Sequence, residues 1–289
     1  MHIAIDSYGA VSRLGLWRGL AAIRKAGFLA VDMSYYYEAE ELLLGERYLE
    51  AAERLADYLS SLSLTCRQAH APFTVTYAQD IVASPAFLQV KRAIESAAIL
   101  GARHIVVHTV RVPQEAVIDP IGYNLAYYRA LLPTAERAGI AIAVENLFYR
   151  TPDTRRPIPA LLSRPERLTA FVRALGSPYA VPCVDIGHAA ITGCPPEEFL
   201  LGMRDMPPRA LHVQDCEPTE DSHTLPFLGT VNWEAVTAAL RDIGYAGDLT
   251  LEVYKYIRAH GEDELPAALE RAAATAERIR AMLLDPAKA

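Results

Sequence analysis

The sequence predicts an α/β fold in which eight parallel strands, each followed by helix, close into a barrel. Three observations predict it. Eight short apolar runs alternate with longer stretches of helical periodicity along 289 residues. Glycine stands between a helical stretch and the next strand at Gly27, Gly101, Gly139, Gly176 and Gly244, where a left-handed cap ends a helix. Several of the apolar runs finish on a carboxylate or an imidazole. Strand–helix alternation implies a parallel sheet, and eight units in this length fit a closed (β/α)8 TIM barrel. An open doubly wound sheet is the alternative, but no Gly-x-Gly-x-x-Gly follows the first strand.

Taken in order, the strands read as His2–Asp6, Ala30–Met33, Leu64–His70, His104–Val110, Ile140–Asn146, Ala180–Asp185, Arg209–Asp215 and Leu249–Val253. Helical patterning is clearest over 48–59 and 90–100. An Ala-rich helix over 264–284 is expected to complete the outer ring. Two long inserts, 149–165 after the fifth strand and 217–229 after the seventh, belong on the catalytic face, where strand-to-helix loops build the site. No linker rich in Pro, Gly or Ser divides the chain, so residues 1–289 read as one barrel domain.

Apolar residues make up 52% of the chain, enough for a large core. The net charge of −7 argues against a nucleic-acid-binding surface. The four cysteines, Cys66, Cys183, Cys194 and Cys216, form no Cys-x-x-Cys pair and read as buried thiols in a reducing compartment. The N-terminus carries no signal-peptide pattern and no apolar run reaches membrane-spanning length, so a cytoplasmic location is expected.

Strand side chains alternate between faces. Along Ile140–Glu145 the isoleucines and Val144 share one face, while Ala141, Ala143 and Glu145 share the other. The small face suits a barrel interior, so Glu145 points inward at the strand's end. Leu249–Val253 likewise turns Thr250 and Glu252 inward. Asp185 shares a face with Cys183 and Val181, and His212 with Ala210. His70 ends the third strand and His108 lies near the end of the fourth. Six inward polar residues at one rim read as catalytic, because burying so many carboxylates and imidazoles without a metal or substrate is costly. Asp221 and His223 follow on the insert after the seventh strand, where capping a loop turn is the alternative role. Asp6 and Asp32 also end strands, but helix N-capping accounts for them. Tyr8, Tyr35, Tyr36, Tyr37 and Phe148 are candidate walls for a substrate. Arg150, Arg155 and Arg156 are candidate anion contacts, with a solvated insert as the alternative.

These residues resemble the xylose isomerase-like TIM barrels, a superfamily of sugar isomerases and epimerases that also includes endonuclease IV. The likeness runs along most of the chain: His70-Ala-Pro, Val106-Val-His108, Val144-Glu145-Asn146, Cys183-Val-Asp185-Ile-Gly-His188, Leu211-His212-Val-Gln-Asp215, Leu251-Glu252-Val, and His223-Thr-Leu-Pro-Phe-Leu-Gly-Thr-Val-Asn-Trp233. The resemblance implies one divalent metal (Mn, Co, Mg or Zn) on Glu145, Asp185, His212 and Glu252, with His188 contacting substrate. It implies a sugar or sugar phosphate isomerase or epimerase in which Glu145 and Glu252 move protons through a metal-bound ene-diolate. His70, His108, Asp221 and His223 are then further substrate contacts.

The same likeness offers a second reading. Endonuclease IV enzymes hold three zinc ions, on a ligand set that maps onto His70, His108, Glu145, Asp185, His188, His212, Asp221, His223 and Glu252. Ser222 stands where that family has Arg, and the acidic balance gives little pull on DNA. A metal-dependent dehydratase of a cyclic polyol or acid is a third reading. A Schiff-base aldolase is disfavoured, since Lys255 is the one lysine near a strand end, and a non-catalytic sugar-binding barrel leaves three inward carboxylates unexplained. A small-molecule sugar or polyol is the expected partner, without nucleic acid or membrane. Barrels of this kind often form homo-oligomers.

Overall fold

The computed structural model describes residues 1–36, 42–73 and 75–285. Its strands, in chain order, are β1 (Ile3–Asp6), β2 (Ala30–Ser34), β3 (Thr65–His70), β4 (His104–Val107), β5 (Ala141–Glu145), β6 (Phe148–Arg150), β7 (Pro157–Pro159), β8 (Ala180–Asp185), β9 (Ala210–Val213), β10 (Asp215–Glu217), β11 (Glu220–Thr224) and β12 (Leu249–Leu251). Eight of them close into a barrel in the order β1-β12-β9-β8-β5-β4-β3-β2, every neighbour parallel. These are the eight strands expected from the sequence. The two long inserts each fold as an antiparallel hairpin, β6 with β7 and β10 with β11.

Several strands are shorter than their apolar runs, for identifiable reasons. The N–H groups of Leu64 and Ile140 donate to Leu59 and Ala135, carbonyls at the ends of the preceding helices, so β3 and β5 start later. After Val107 the chain is held by a side chain instead of a strand: Asn124 Oδ1 accepts from Val110 N–H at 2.7 Å, and its Nδ2 donates to Val110 O at 3.0 Å. At β12 the ladder outlasts the strand, since Glu252 N–H still donates to Val213 O at 3.1 Å.

Some helices begin at side-chain caps and some end at glycines. Asp119 caps the helix Pro120–Ala138 through Ile121 N–H and Gly122 N–H, and Asn232 caps Trp233–Asp242 through Ala235 N–H. Gly139 and Gly176 end their helices at φ +71° and +63°, a conformation that resists a Cβ. The last helix runs Leu265–Leu284. Among the described residues no helix is long and apolar enough to cross a membrane.

Alternation places the core as the sequence indicates. Val106, Ala143, Cys183 and Ala210 pack together as one small cluster, whereas Ile105, Val107, Ile142, Val144, Leu211 and Val213 belong to the larger core shared with the helices. Each large aliphatic side chain buried there contributes roughly 1.5–3 kcal/mol. The small side chains of the inner cluster leave the barrel axis free for the polar residues at the strands' C-terminal ends.

Candidate metal centre

Register brings the strand ends to one rim. His70 pairs with Ser34 and Val106, Glu145 with Cys183, Asp185 with His212, and His212 with Thr250. Glu145, Asp185, His212 and Glu252 are buried, and one ligand atom from each lies within 4.8 Å of the others. His212 Nδ1 is the hub, 2.7 Å from Glu145 Oε1, 3.2 Å from Glu252 Oε2 and 3.9 Å from Asp185 Oδ2.

Two further groups share this centre. His70 Nε2 and His108 Nε2 are 3.1 Å apart and reach Glu145 Oε2 at 4.0 and 2.9 Å. On the other side, Asp221 Oδ2 lies 2.9 Å from His223 Nε2, and Asp221 Oδ1 lies 3.6 Å from His188 Nε2. All nine residues singled out in the sequence therefore meet, as three adjoining groups with metal-ligand spacing.

The donor set fits a divalent cation. Glu145 Oε2 and Glu252 Oε2 are buried without a hydrogen-bond partner among the described residues; His108 Nε2 is near Glu145 Oε2 but lacks hydrogen-bond geometry. Three buried carboxylates surround one imidazole, and among the described residues no Lys or Arg is paired to Glu145, Asp185 or Glu252. Such an excess of buried negative charge calls for a cation. Oxygen and imidazole donors accept Mn, Co, Mg or Zn alike.

Electrostatics drive the two glutamates apart. Burial alone pushes the Glu145 carboxyl up, but the imidazoles of His212 and His108 outweigh it and hold Glu145 well below the ordinary carboxylate range. Burial dominates at Glu252 and raises it well above that range, helped by Glu145 and Asp185 and opposed by His212. His70 is lowered by burial and then by His108. His188 and His212 are raised: burial opposes this, and Asp185 and Asp221 outweigh it at His188, Glu252 and Glu145 at His212.

Several residues that hold the centre were not singled out in the sequence. Asp32 does not cap a helix. Its Oδ2 accepts from Gln68 Nε2 at 2.8 Å and lies 3.5 Å from His212 Nε2, on the far side of the ring from the hub. A carboxylate behind a ligating imidazole fixes its ring and tautomer. Asp6, by contrast, accepts from Gly9 N–H at the start of the first helix, as the capping reading expects, and also from Val253 N–H. Asn146 clamps β5 to Asp185, accepting from Asp185 N–H at 2.7 Å and donating to Asp185 O at 3.0 Å. Gln214 joins two groups: its Nε2 donates to Asp185 and Asp221, and its Oε1 accepts from His223 N–H. A Cβ on Gly187 would sit 2.6 Å from Gln214 Cδ, which gives Asp185-Ile-Gly-His188 its glycine. Asn146 and Gln214 stand beside ligands in the sequence motifs, and that adjacency is the signal that could have found them. Gln68 stands two residues before His70, on the same strand, whereas Asp32 lies far from any such motif.

The proposed walls separate. Phe148 lies 5.1 Å from the His188 ring, and Tyr36 bonds through its hydroxyl to His70 Nδ1. Tyr8 packs on Tyr36 and Tyr254, and Tyr254 stacks 4.2 Å from His223. Tyr35 is not a wall: it is wholly buried, and its hydroxyl donates to Ser96. Tyr37 lies outside the described residues. Of the hairpin arginines, Arg150 stacks on Phe148 and donates to Arg155 O, while Arg155 and Arg156 are exposed. Lys255 Nζ donates to the Asp221 carbonyl and stands 3.4 Å from its carboxylate.

The model of the xylose isomerase-like TIM barrel family matches residues 20–281, and the chain belongs to that family. The uncharacterized protein MJ1311 of Methanocaldococcus jannaschii is 29% identical over 168 residues, which is 56% of this chain and 55% of that protein. The chain thus spans about half the length of this curated relative. Among solved structures, a D-tagatose 3-epimerase-like protein matches at TM-score 0.79 and 20% identity, over 99% of this chain and 100% of that one. An L-ribulose 3-epimerase matches at 0.72 and 22%, over 98% of each chain. An IolI protein with a binding zinc atom matches at 0.73 and 16%, over 99% of each. At these identities the likeness shows the fold.

Proposed function

We propose that this chain is a divalent-metal-dependent sugar or sugar phosphate isomerase or epimerase. The observation that carries it is the glutamate pair at His212 Nδ1. Glu145 Oε1 lies 2.7 Å and Glu252 Oε2 3.2 Å from that nitrogen, and the Oε2 atom of each glutamate is buried without a hydrogen-bond partner among the described residues. Two carboxyl groups placed on one ligand cluster can serve as base and acid toward a substrate held between them. They come from opposite sides of β9 in the barrel order, Glu145 from β5 and Glu252 from just beyond β12.

Glu145, Asp185, His212 and Glu252 would hold the cation, which supplies Lewis acidity that acidifies the C–H beside a ketose carbonyl. Glu145 then takes a proton from that carbon, and Glu252 returns one. Return to the same carbon from the opposite face gives an epimer; return to the neighbouring carbon interconverts aldose and ketose. Asp32 and Gln68 hold the His212 ring, and Asn146 holds Asp185 and accepts from His188 Nδ1 at 3.0 Å. Phe148, Tyr8 and Tyr254 provide apolar faces for a sugar ring. The family membership and the epimerase names among its structural neighbours support a sugar substrate.

A second reading, a three-metal phosphodiester hydrolase, is favoured by one observation: the His70–His108–Glu145 and His188–Asp221–His223 groups also close to metal-ligand spacing. Against it, Lys255 already partners Asp221. The discriminating experiment is metal content per chain with anomalous scattering, followed by turnover assays. One cation at His212 with epimerisation of a ketose, abolished in both Glu145→Gln and Glu252→Gln, supports the first reading. Retained turnover in both variants refutes the acid–base assignment. Three cations with cleavage of an abasic-site duplex establish the second.

A further inference from the structure

A cavity of about 740 Å³ opens at the end of the barrel opposite the metal centre, among residues at or before the strand starts. Gln68 on β3 and Asp248, just before β12, are both in its wall. Its size suits a small molecule. Three arginines line it: Arg67 on β3, Arg103 ahead of β4 and Arg209 ahead of β9. Arg67 is paired, its Nε donating to Asp248 Oδ2 at 2.8 Å. The side chains of Arg103 and Arg209 have no hydrogen bond or ion pair among the described residues. On a chain of net charge −7, this pocket carries two uncompensated positive charges. His104, also in its wall, senses them. Burial, then Arg209, with Arg103 and Arg67 adding to it and Asp248 opposing, pushes it down to about 4. The remaining wall includes Val172, Met206 and Pro208, an apolar surface beside the charges.

We infer that this cavity is a second ligand site, built for a small organic phosphate whose dianionic group lies between Arg103 and Arg209 and whose carbon body lies on the Val172–Met206 wall. A guanidinium presents paired N–H donors in the geometry a phosphate accepts bidentately. The charge balance selects the class: two unpaired guanidinium groups match a phosphate monoester dianion better than a monocarboxylate. None of the ligands to the proposed cation lines this cavity, although Gln68, which does, also contacts His212; the inference does not rest on the reaction at the other end of the barrel.

The test is calorimetric titration of the full chain, as purified, with phenyl phosphate, inorganic phosphate and benzoate, with the His104 ring proton followed by NMR. Phenyl phosphate is expected to bind and to shift the His104 resonance. Arg103→Ala with Arg209→Ala should weaken it at least about tenfold, and the double Lys variant should recover part of that loss. Asp185→Asn, at the metal centre, should leave it within about twofold. Both arginines are exposed, so their removal should not disturb folding, which an unchanged melting curve checks. Equal affinity in the double Ala variant, no binding by the wild type at about 5 mM ligand, or benzoate binding as tightly as phenyl phosphate would each overturn the inference.

Discussion

Asp215→Asn tests whether the long insert that carries Asp221 and His223 is organised by one carboxylate. Asp215 is wholly buried. Its Oδ1 accepts from Cys216 N–H at 2.9 Å and Val231 N–H at 3.0 Å; its Oδ2 accepts from Phe227 N–H and Trp233 Nε1–H, both at 2.9 Å. Four donors thus bind the insert, and the motif His223–Trp233, to a single side chain. An asparagine of the same shape must turn its NH2 toward one pair of donors, whichever way it is placed. Each pair combines one buried and one partly buried N–H. Leaving a buried donor unmatched costs about 1–3 kcal/mol, and a partly wet one less, so the variant should lose about 3 kcal/mol. That is a large share of a typical stability of roughly 5–15 kcal/mol. The glycine in the motif has the same origin: a Cβ on Gly229 would lie 2.3 Å from Asp215 Oδ1. Urea unfolding read by fluorescence reports directly, since Trp233 is one of two tryptophans and is buried. A variant within about 0.5 kcal/mol of wild type would refute this account of the insert.

Three further outcomes are expected. Asp32→Asn should weaken divalent-metal binding by about tenfold to a hundredfold while leaving the fold intact, measured by titration against a competing chelator; unchanged affinity would remove Asp32 from behind His212. Stripping metal should abolish turnover and lower the melting temperature, and re-adding a divalent cation should restore both, because the orphaned oxygens of Glu145 and Glu252 regain a partner. His104 is depressed from 6.5 to about 4 in the folded chain, so between these values the unfolded chain binds the extra proton. Its contribution is present above pH 6.5 and is lost as pH falls to about 4. His104→Gln should therefore flatten the acid limb of the stability–pH curve by roughly 3 kcal/mol; parallel curves would contradict it.

The fold and the six strand-end residues that converge on one rim were legible in the sequence because both depend on local periodicity, whereas His188, Asp221 and His223 entered through the likeness to the family's motifs. On a barrel strand, the face that carries Ala141 and Ala143 must also carry Glu145, and a parallel register brings all such ends to one rim. What could not be read depends on contacts between distant strands. Asp32 and His212 are far apart in the chain, and Asp32 looks like Asp6: each is an aspartate at or near a strand end. Only closure of the barrel separates them, setting Asp6 over Gly9 N–H and Val253 N–H and Asp32 behind an imidazole. The tyrosines failed for a similar reason. Tyr35 and Tyr36 are neighbours just past one strand, so alternation sends their rings to opposite sides, one to Ser96 in the helix layer and the other to His70. The cavity at the opposite end was invisible because Arg67, Arg103 and Arg209 lie at the beginnings of strands, where no motif marks them and only the closed sheet makes them neighbours. Strand direction therefore divides the chain's polar residues. At the C-terminal ends the inward carboxylates and imidazoles form the proposed cation site, and at the N-terminal ends arginines line the opposite mouth.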